Sequence, residues 1–420
     1  MEHPMNKILG IVALGLAALV LARTTAVQRI VLIGDSTVTN YAASKSPMAG
    51  WGMFLGLYFQ PGTVTVLNKA VGGRSSKSFV TLGQWAGTLA ELKAGDILMI
   101  QFGHNDRTFS DTTRYADTAT YRQYLTKYVT EARAMGAHPV FVTPMNMNTW
   151  SSAGGRRVFT EGANDYRGAM IRAGKTLRVP VLDLELKSKQ LMDSASTIWL
   201  SKFHFLGLET GEYPNYPTGI ADGTHFQEMG ALANARMVVE EITRQSSDSV
   251  LKLLAPLVAP TYEVKVRSTL ASGDTISRST RMPAGAQVTV KVRPAAGKKF
   301  RHWRTEAGDS LTGSLRYTFT MGAKDVSLLA LYQGVVVGVS PREAGGGTFS
   351  VRREGGFAVL DGAGEGTARI VDLEGRVLRD APLRGGRAVL DLGGVPRGAY
   401  VATTSGGATA RLTLSEGAAR

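Results

Sequence analysis

There is no cysteine among the 420 residues. That absence excludes disulfides, thiolate metal sites and a cysteine nucleophile, though not export. Histidine is scarce too, at six, and together with the missing cysteines this supplies no metal-ligand cluster. No metal or other cofactor is therefore expected. Past the N-terminus no apolar run approaches the ~20 residues of a membrane-spanning helix. Acidic residues are in deficit: Lys and Arg number 48 against 34 Asp and Glu, a net charge of +14. Of these, 23 basic and 14 acidic residues follow Thr261, scattered over strand-like segments rather than gathered on a groove-reading helix. No nucleic-acid partner is expected from a chain without a recognisable binding motif. The excess is either a solvated basic face or an affinity for an anionic polymer or cell surface.

Among what is present, the N-terminus argues for export. Lys7 precedes an apolar run from Ile8 to Leu21, and Ala22 closes it. A basic start, a run of about 7–15 apolar residues and a small-residue exit make a signal peptide. We assign residues 1–22 to it, so that no membrane span remains after cleavage. A single membrane anchor is the alternative, for which the run is short.

The length exceeds one ordinary core, so two or three domains are expected. From Val27 to Asp248 buried-strand runs alternate with amphipathic segments. Strands are expected at Arg29–Ile33, Thr63–Leu67, Asp96–Gln101, Pro139–Thr143 and Val179–Leu184. Helices are expected near Gly52–Phe59, Trp85–Lys93, Thr120–Met135, Asn164–Leu177 and Glu228–Arg244. Such alternation implies right-handed βαβ units, a parallel sheet and helices on both faces. The segment 250–261, with two prolines, reads as a linker. After it the pattern becomes the polar/apolar alternation of antiparallel strands, giving a β module at 262–333, a Gly-rich linker at 334–350 and a second β module at 351–420. The first domain spans 23–249.

Four clusters fall after expected strands or in the last loop: Gly34-Asp35-Ser36, Asn68 to Ser75, Gly103-His104-Asn105-Asp106, and Asp222-Gly223-Thr224-His225. Together they supply what acyl transfer needs. Ser36 can be a nucleophile, but its hydroxyl requires a base. His225 can be that base, and Asp222, three residues earlier, can hold its other ring nitrogen. The backbone N–H of Gly73, with Gly72 as the alternative, the side chain of Asn105 and the N–H of Ser36 can face a developing oxyanion. Asp106 reads as a loop brace and His104 as structural. Arg74 could meet an anionic sugar or be an ordinary surface cation. Trp150, Tyr213 and Tyr216 could stack on sugar rings or simply pack.

These four clusters, in this order, resemble the SGNH (GDSL-type) hydrolases, whose Ser, Gly, Asn and His correspond to Ser36, Gly73, Asn105 and His225. The wording Gly34-Asp35-Ser36-Thr37-Val38, Ala70 to Ser75, Gln101 to Asp106, Gly211 to Pro217 and Asp222 to Phe226 resembles rhamnogalacturonan acetylesterases. The resemblance implies a flavodoxin-like three-layer α/β/α domain that deacetylates plant cell-wall polysaccharide without a metal, through an acetyl-serine. Xylan or a lipid ester is the alternative substrate, and a surface-binding protein with an inactive hydrolase domain is the alternative of another kind. Tyr262 to Tyr332 is similar to an internalin-B-type repeat. Ala368–Leu414 is similar to sorting domains of type IX secretion, which implies bacterial export machinery as a partner and an extracellular or cell-surface location.

Overall fold

The computed structural model describes residues 27–149, 159, 162–270, 276–294, 296–332, 350–354, 357–362, 365–372, 376–396, 398–405 and 409–414. The expected signal segment 1–22, Trp150, and residues 334–349 of the Gly-rich segment lie outside them. Among the described residues no helix is long and apolar enough to cross a membrane.

Strand β1 (Gln28–Gly34) is buried throughout from Ile30 onward, and a strand without a polar face must be covered on both sides. The short β2 (Met48–Ala49) belongs to another sheet. With β3 (Val64–Asn68), β4 (Ile97–Gln101), β5 (His138–Val142) and β6 (Val181–Leu182), β1 forms an all-parallel sheet in the order β3-β1-β4-β5-β6. Ile30 and Leu32 enter one core while Val31 and Ile33 enter the other, and Ile97 and Met99 against Leu98 and Ile100 repeat this on β4. This is the two-residue period of a pleated strand.

One face is covered by α1 (Ser76–Thr81), α2 (Gln84–Glu91), α3 (Thr118–Ala134) and α4 (Tyr166–Leu177), through Phe79, Trp85, Tyr121 and Met170. The other is covered by α5 (Leu184–Asp193) and, after the single turn α6 (Thr197–Trp199), by α7 (Glu228–Arg244), through Met192, Leu232 and Val238. The three layers expected from the alternation are therefore present.

Two expectations are corrected. The segment near Gly52–Phe59 is two 3-10 turns, Trp51–Met53 and Leu55–Tyr58, not a helix. Its glycines press the backbone onto the turn that follows β1. A Cβ would fall 2.3 Å from the Thr39 carbonyl oxygen at Gly50, and 2.5 Å from that of Val38 at Gly52. Close approach of this kind, which only glycine allows, replaces helical bonding. The strand expected at Val179–Leu184 is only two residues long, because Asp183 caps α5 by accepting from Leu186 N.

A second, antiparallel sheet runs β2-β8-β7, with β7 at Phe205–Leu208 and β8 at Ile220–Gln227. Asp222 to His225, expected in a loop, lies within β8. Leu206 pairs with Asp222 and Phe205 with Phe226. Gly223, Thr224 and His225 are thus extra residues opposite one step of β7. Such a bulge re-aims side chains out of the ladder.

The later chain is all β. Strands β9 (Thr261–Ser268) and β10 (Thr280–Pro283) join a five-stranded sheet, and β11 (Gln287–Lys291) pairs instead with a later strand, Arg316–Thr320. Residues 350–414 form two further antiparallel sheets around a core of their own, including Leu360, Ile370, Leu390 and Tyr400. Among the described residues of 262–332 there is no such separate core: Val264, Met282, Val288 and Trp303 continue the cluster that covers one face of the parallel sheet. The segment 250–261, read as a linker, is packed in between. Leu251 and Leu254 are fully buried, Leu257 O accepts from Gln60 N at 2.8 Å and Ala259 N donates to Tyr58 O at 2.9 Å.

Candidate active site

The strand order places β3 and β4 on opposite sides of β1. The crevice opened at the carboxyl ends of such strands is where open α/β sheets bind ligands. Ser36 follows β1, Gly73 follows β3 and Asn105 follows β4, so the topology brings all three to that crevice.

The turn holding Ser36 is fixed from beneath. Asp35, fully buried, accepts on Oδ1 from Thr37 N at 2.9 Å and from Thr37 Oγ1 at 2.7 Å. Its Oδ2 meets His104 Nδ1 at 3.1 Å, and His104 Nε2 lies 3.0 Å from the Met145 carbonyl. Gln101 Nε2 donates to Thr37 Oγ1 at 2.7 Å, and Trp51 Nε1 donates to Gln101 Oε1 at 2.8 Å. Burial alone would push the Asp35 carboxyl up, but the His104 charge and the bonds from His104 and Thr37 hold it below the ordinary range. Asp35 and His104 are thus consumed in holding the turn. Ser36 itself is half-buried, and Tyr41 Oη donates to its carbonyl at 2.9 Å.

The second His–Asp pair is on the β8 bulge. His225 Nδ1 lies 2.6 Å from Asp222 Oδ2, while Asp222 Oδ1 accepts from Thr224 N at 2.7 Å and from His225 N at 3.0 Å. Burial would raise Asp222, yet the His225 and backbone bonds lower it. Burial would lower His225, yet Asp222 and, more weakly, Asp35 raise it above its ordinary value. β2 links the bulge to the Ser36 turn: Ala49 pairs with Phe226, next to His225, and Trp51 N, two residues on, donates to Thr37 O at 2.9 Å. Among the described residues no hydrogen bond occupies His225 Nε2.

Gly73 has φ +75°, the left-handed region that favours glycine. Among the described residues no heavy atom lies within 4 Å of where its Cβ would stand, whereas a Cβ on Gly72 would stand 3.7 Å from Ser36 Cβ. Both glycines remain in place to offer a backbone N–H. Asn105 Nδ2 donates to Arg74 O at 3.0 Å, which leaves its second amide hydrogen available. Asp106 accepts from Ser76 N at 3.0 Å and from Ser76 Oγ, bracing the start of α1 against the loop that carries Asn105. Burial pushes its carboxyl up to about 7, with the Ser76 bonds opposing.

Residues 32–231 match the model of the GDSL-like lipase/acylhydrolase family, and residues 262–335 that of the divergent InlB B-repeat domain. Rhamnogalacturonan acetylesterase RhgT of Bacillus subtilis (strain 168) is 42% identical over 214 residues, which are 51% of this chain and 89% of RhgT. The chain belongs to the GDSL-like lipase/acylhydrolase family. It is a carboxylic ester hydrolase with a B-repeat domain behind its catalytic half. "Probable rhamnogalacturonan acetylesterase YesY" of the same bacterium is 36% identical over 230 residues, 54% of this chain and 98% of YesY. Among solved structures, YxiM from Bacillus subtilis covers 53% of this chain and 58% of its own at 27% identity, with a TM-score of 0.44.

Of the residues read as substrate contacts on this GDSL-type enzyme, Arg74 is half-buried and its Nε donates to Gln84 Oε1 at 3.3 Å. Tyr216 Oη donates to Lys45 O at 3.1 Å. Tyr213 has the Arg316 guanidinium 4.1 Å above its ring centroid, so one ring face is already taken. Sequence reasoning missed Tyr41, which carries no periodic or motif signal, and the Thr37–Gln101–Trp51 relay beneath the turn. Of that relay Thr37 and Gln101 lay inside quoted motifs, and only Trp51 lay outside them.

Proposed function

We propose that this esterase removes O-acetyl groups from plant cell-wall polysaccharide, rhamnogalacturonan-type pectin above all, outside the bacterial cell. The observation that carries this reading is His225, clasped on Nδ1 by Asp222 at 2.6 Å and without a partner on Nε2 among the described residues, on a strand that β2 links to the Ser36 turn. The names of RhgT and YesY point the same way. Ser36 Oγ attacks the acetyl carbonyl as His225 Nε2 takes its proton. Asp222 fixes the tautomer and stabilises the imidazolium. The N–H groups of Ser36 and Gly73 and the amide of Asn105 bind the oxyanion, each such donor accounting for roughly 10²–10³ in kcat. His225 then gives its proton to the departing sugar hydroxyl. Water, deprotonated by the same imidazole, attacks the acetyl-serine and releases acetate, returning the Ser36 hydroxyl.

Export by the N-terminal signal segment, the division into an esterase domain, a B-repeat and a C-terminal module, and recognition of that last module by export machinery belong to the same proposal. The separate core of residues 350–414 suits a module handled on its own. The test is acetate release from acetylated rhamnogalacturonan, with acetylated xylan alongside, by wild type and Ser36→Ala. Faster release from the pectin polymer that disappears in the variant is expected. Equal release from xylan would remove the pectin assignment, and release that survives in Ser36→Ala would remove the mechanism.

A further inference from the structure

The B-repeat reaches into the esterase with a buried cation. Lys291, at the end of β11, is 7% exposed. Its Nζ donates to Glu212 Oε1 at 2.7 Å and to Gln227 Oε1 at 2.8 Å. The rings of Phe203 and Tyr213 stand 5.5 and 6.0 Å from it. The gap beside it measures about 10 Å³, at the lower limit for a single water. Burying an ammonium is costly unless its donors are matched, and here both protein acceptors belong to the catalytic half.

What those acceptors do is the point. Gln227 ends β8, two residues after His225, and is itself 4% exposed. Its Nε2 donates to Lys202 O at 3.0 Å and to Phe205 O at 2.6 Å. Those bonds turn its oxygen toward Lys291, its amide thereby holding β8 against the strand whose mismatch creates the bulge. Glu212 lies in the loop that leads into β8, and its Oε2 accepts from Glu209 N at 2.9 Å. The B-repeat grips this loop twice more. Arg316 donates to Glu212 O at 2.9 Å, and Arg293 pairs with Glu209 at 2.9 Å. The same loop is tied to the segment that follows the Ser36 turn, where Asn215 Nδ2 donates to Ala43 O at 3.1 Å and to Ser46 O at 2.9 Å. Lys291 thus touches the end of β8 directly, at Gln227, and the loop that precedes the strand, at Glu212, with the bulge between the two.

We propose that Lys291 of the B-repeat is a positioning residue of the esterase, joining Glu212 and Gln227 so that the β8 bulge presents Asp222 and His225 to Ser36. The B-repeat is then part of the catalytic unit and not a tethered appendage. This rests on the Ser-His-Asp reading above. A Lys that merely filled space would affect stability alone. A Lys that sets the bulge would act on the chemical step.

The test uses the full chain and a small aryl acetate, whose hydrolysis reports the site without any polysaccharide. In Lys291→Met, kcat is expected to fall about tenfold or more, within the roughly 100-fold that an ångström of misplacement costs, with KM little changed. The acid limb of kcat/KM is expected to move down as His225 loosens from Asp222. Lys291→Met also strands Glu212, so Lys291→Met with Glu212→Gln is measured beside it. The pair should regain thermal stability but not kcat. Recovery of kcat together with stability in the double variant, or a single variant with a lowered melting point and unchanged kcat and acid limb, overturns the proposal. Ser36→Ala separates the two readings: if aryl-acetate hydrolysis survives that change, it is the catalytic assignment that fails, and the proposal falls with it.

Discussion

Two His–Asp pairs stand in this molecule, and their difference is instructive. In Asp35–His104 the carboxylate is completely buried, the contact is 3.1 Å, and the far ring nitrogen is spent on the Met145 carbonyl. In Asp222–His225 the contact is 2.6 Å, about a quarter of the side chain is exposed, and the far nitrogen has no partner among the described residues. The same two residue types thus make a rivet in one place and, in the proposed mechanism, a reagent in the other. What separates them is whether the second nitrogen already has an acceptor. A base must keep one lone pair for the proton it takes.

Removing the two histidines should break the comparison most visibly. His225→Ala is expected to lower kcat/KM on the order of 10²–10⁴-fold, with a melting temperature near that of the wild type. His104→Ala should do the reverse. Leaving the buried Asp35 carboxylate without its partner is expected to cost about 3–5 kcal/mol of stability, read by denaturant unfolding, while the folded fraction keeps far more activity than His225→Ala. Equal activity losses in the two variants would erase the distinction.

A smaller effect comes from pH. Because Asp222 holds His225 above its ordinary value, the acid limb of kcat/KM should lie above the ~6.5 of free imidazole, with activity rising as His225 loses its proton. Stability should run the opposite way. A raised folded-state pKa stabilises fully below the unfolded value and is lost as pH rises through the folded one. Asp222→Asn should move the limb down and flatten that stability trend. The Asp35 and Asp222 carboxyls, both held low, contribute instead above the ordinary carboxylate range and are lost as pH falls through their folded values, so acid unfolding should report the carboxylates of both pairs. A limb unmoved in Asp222→Asn would show that the 2.6 Å contact does not set it.

Much of the site was legible because its parts are local. Ser36, Gly73 and Asn105 each follow a short apolar run, and the three-residue spacing of Asp222 and His225 is within reach of one hydrogen bond whatever the backbone does. Their surroundings were not legible for the same reason. That spacing reads as a loop, and only the pairing of Phe205 with Phe226 and Leu206 with Asp222 reveals a strand with a bulge. Gly52 looked like a residue inside a helix because sequence does not display how near the Val38 carbonyl comes. Lys291 stood at an ordinary position in an alternating strand. Its burial is decided by Glu212 and Gln227, 79 and 64 residues away, a tertiary choice no local pattern encodes.

The shared core has a consequence for biosynthesis. The apolar face that α7 and Leu251 and Leu254 present is finished by Val264, Met282, Val288 and Trp303, all of which leave the ribosome after the catalytic half. Until they arrive, a nascent chain holding every proposed catalytic residue lacks part of that apolar cover, and exposed apolar surface of this kind is what chaperones bind. Completion of the B-repeat would then be the event that commits the chain to its folded form, and the same closure should make the two regions melt together, as one cooperative transition in a calorimeter.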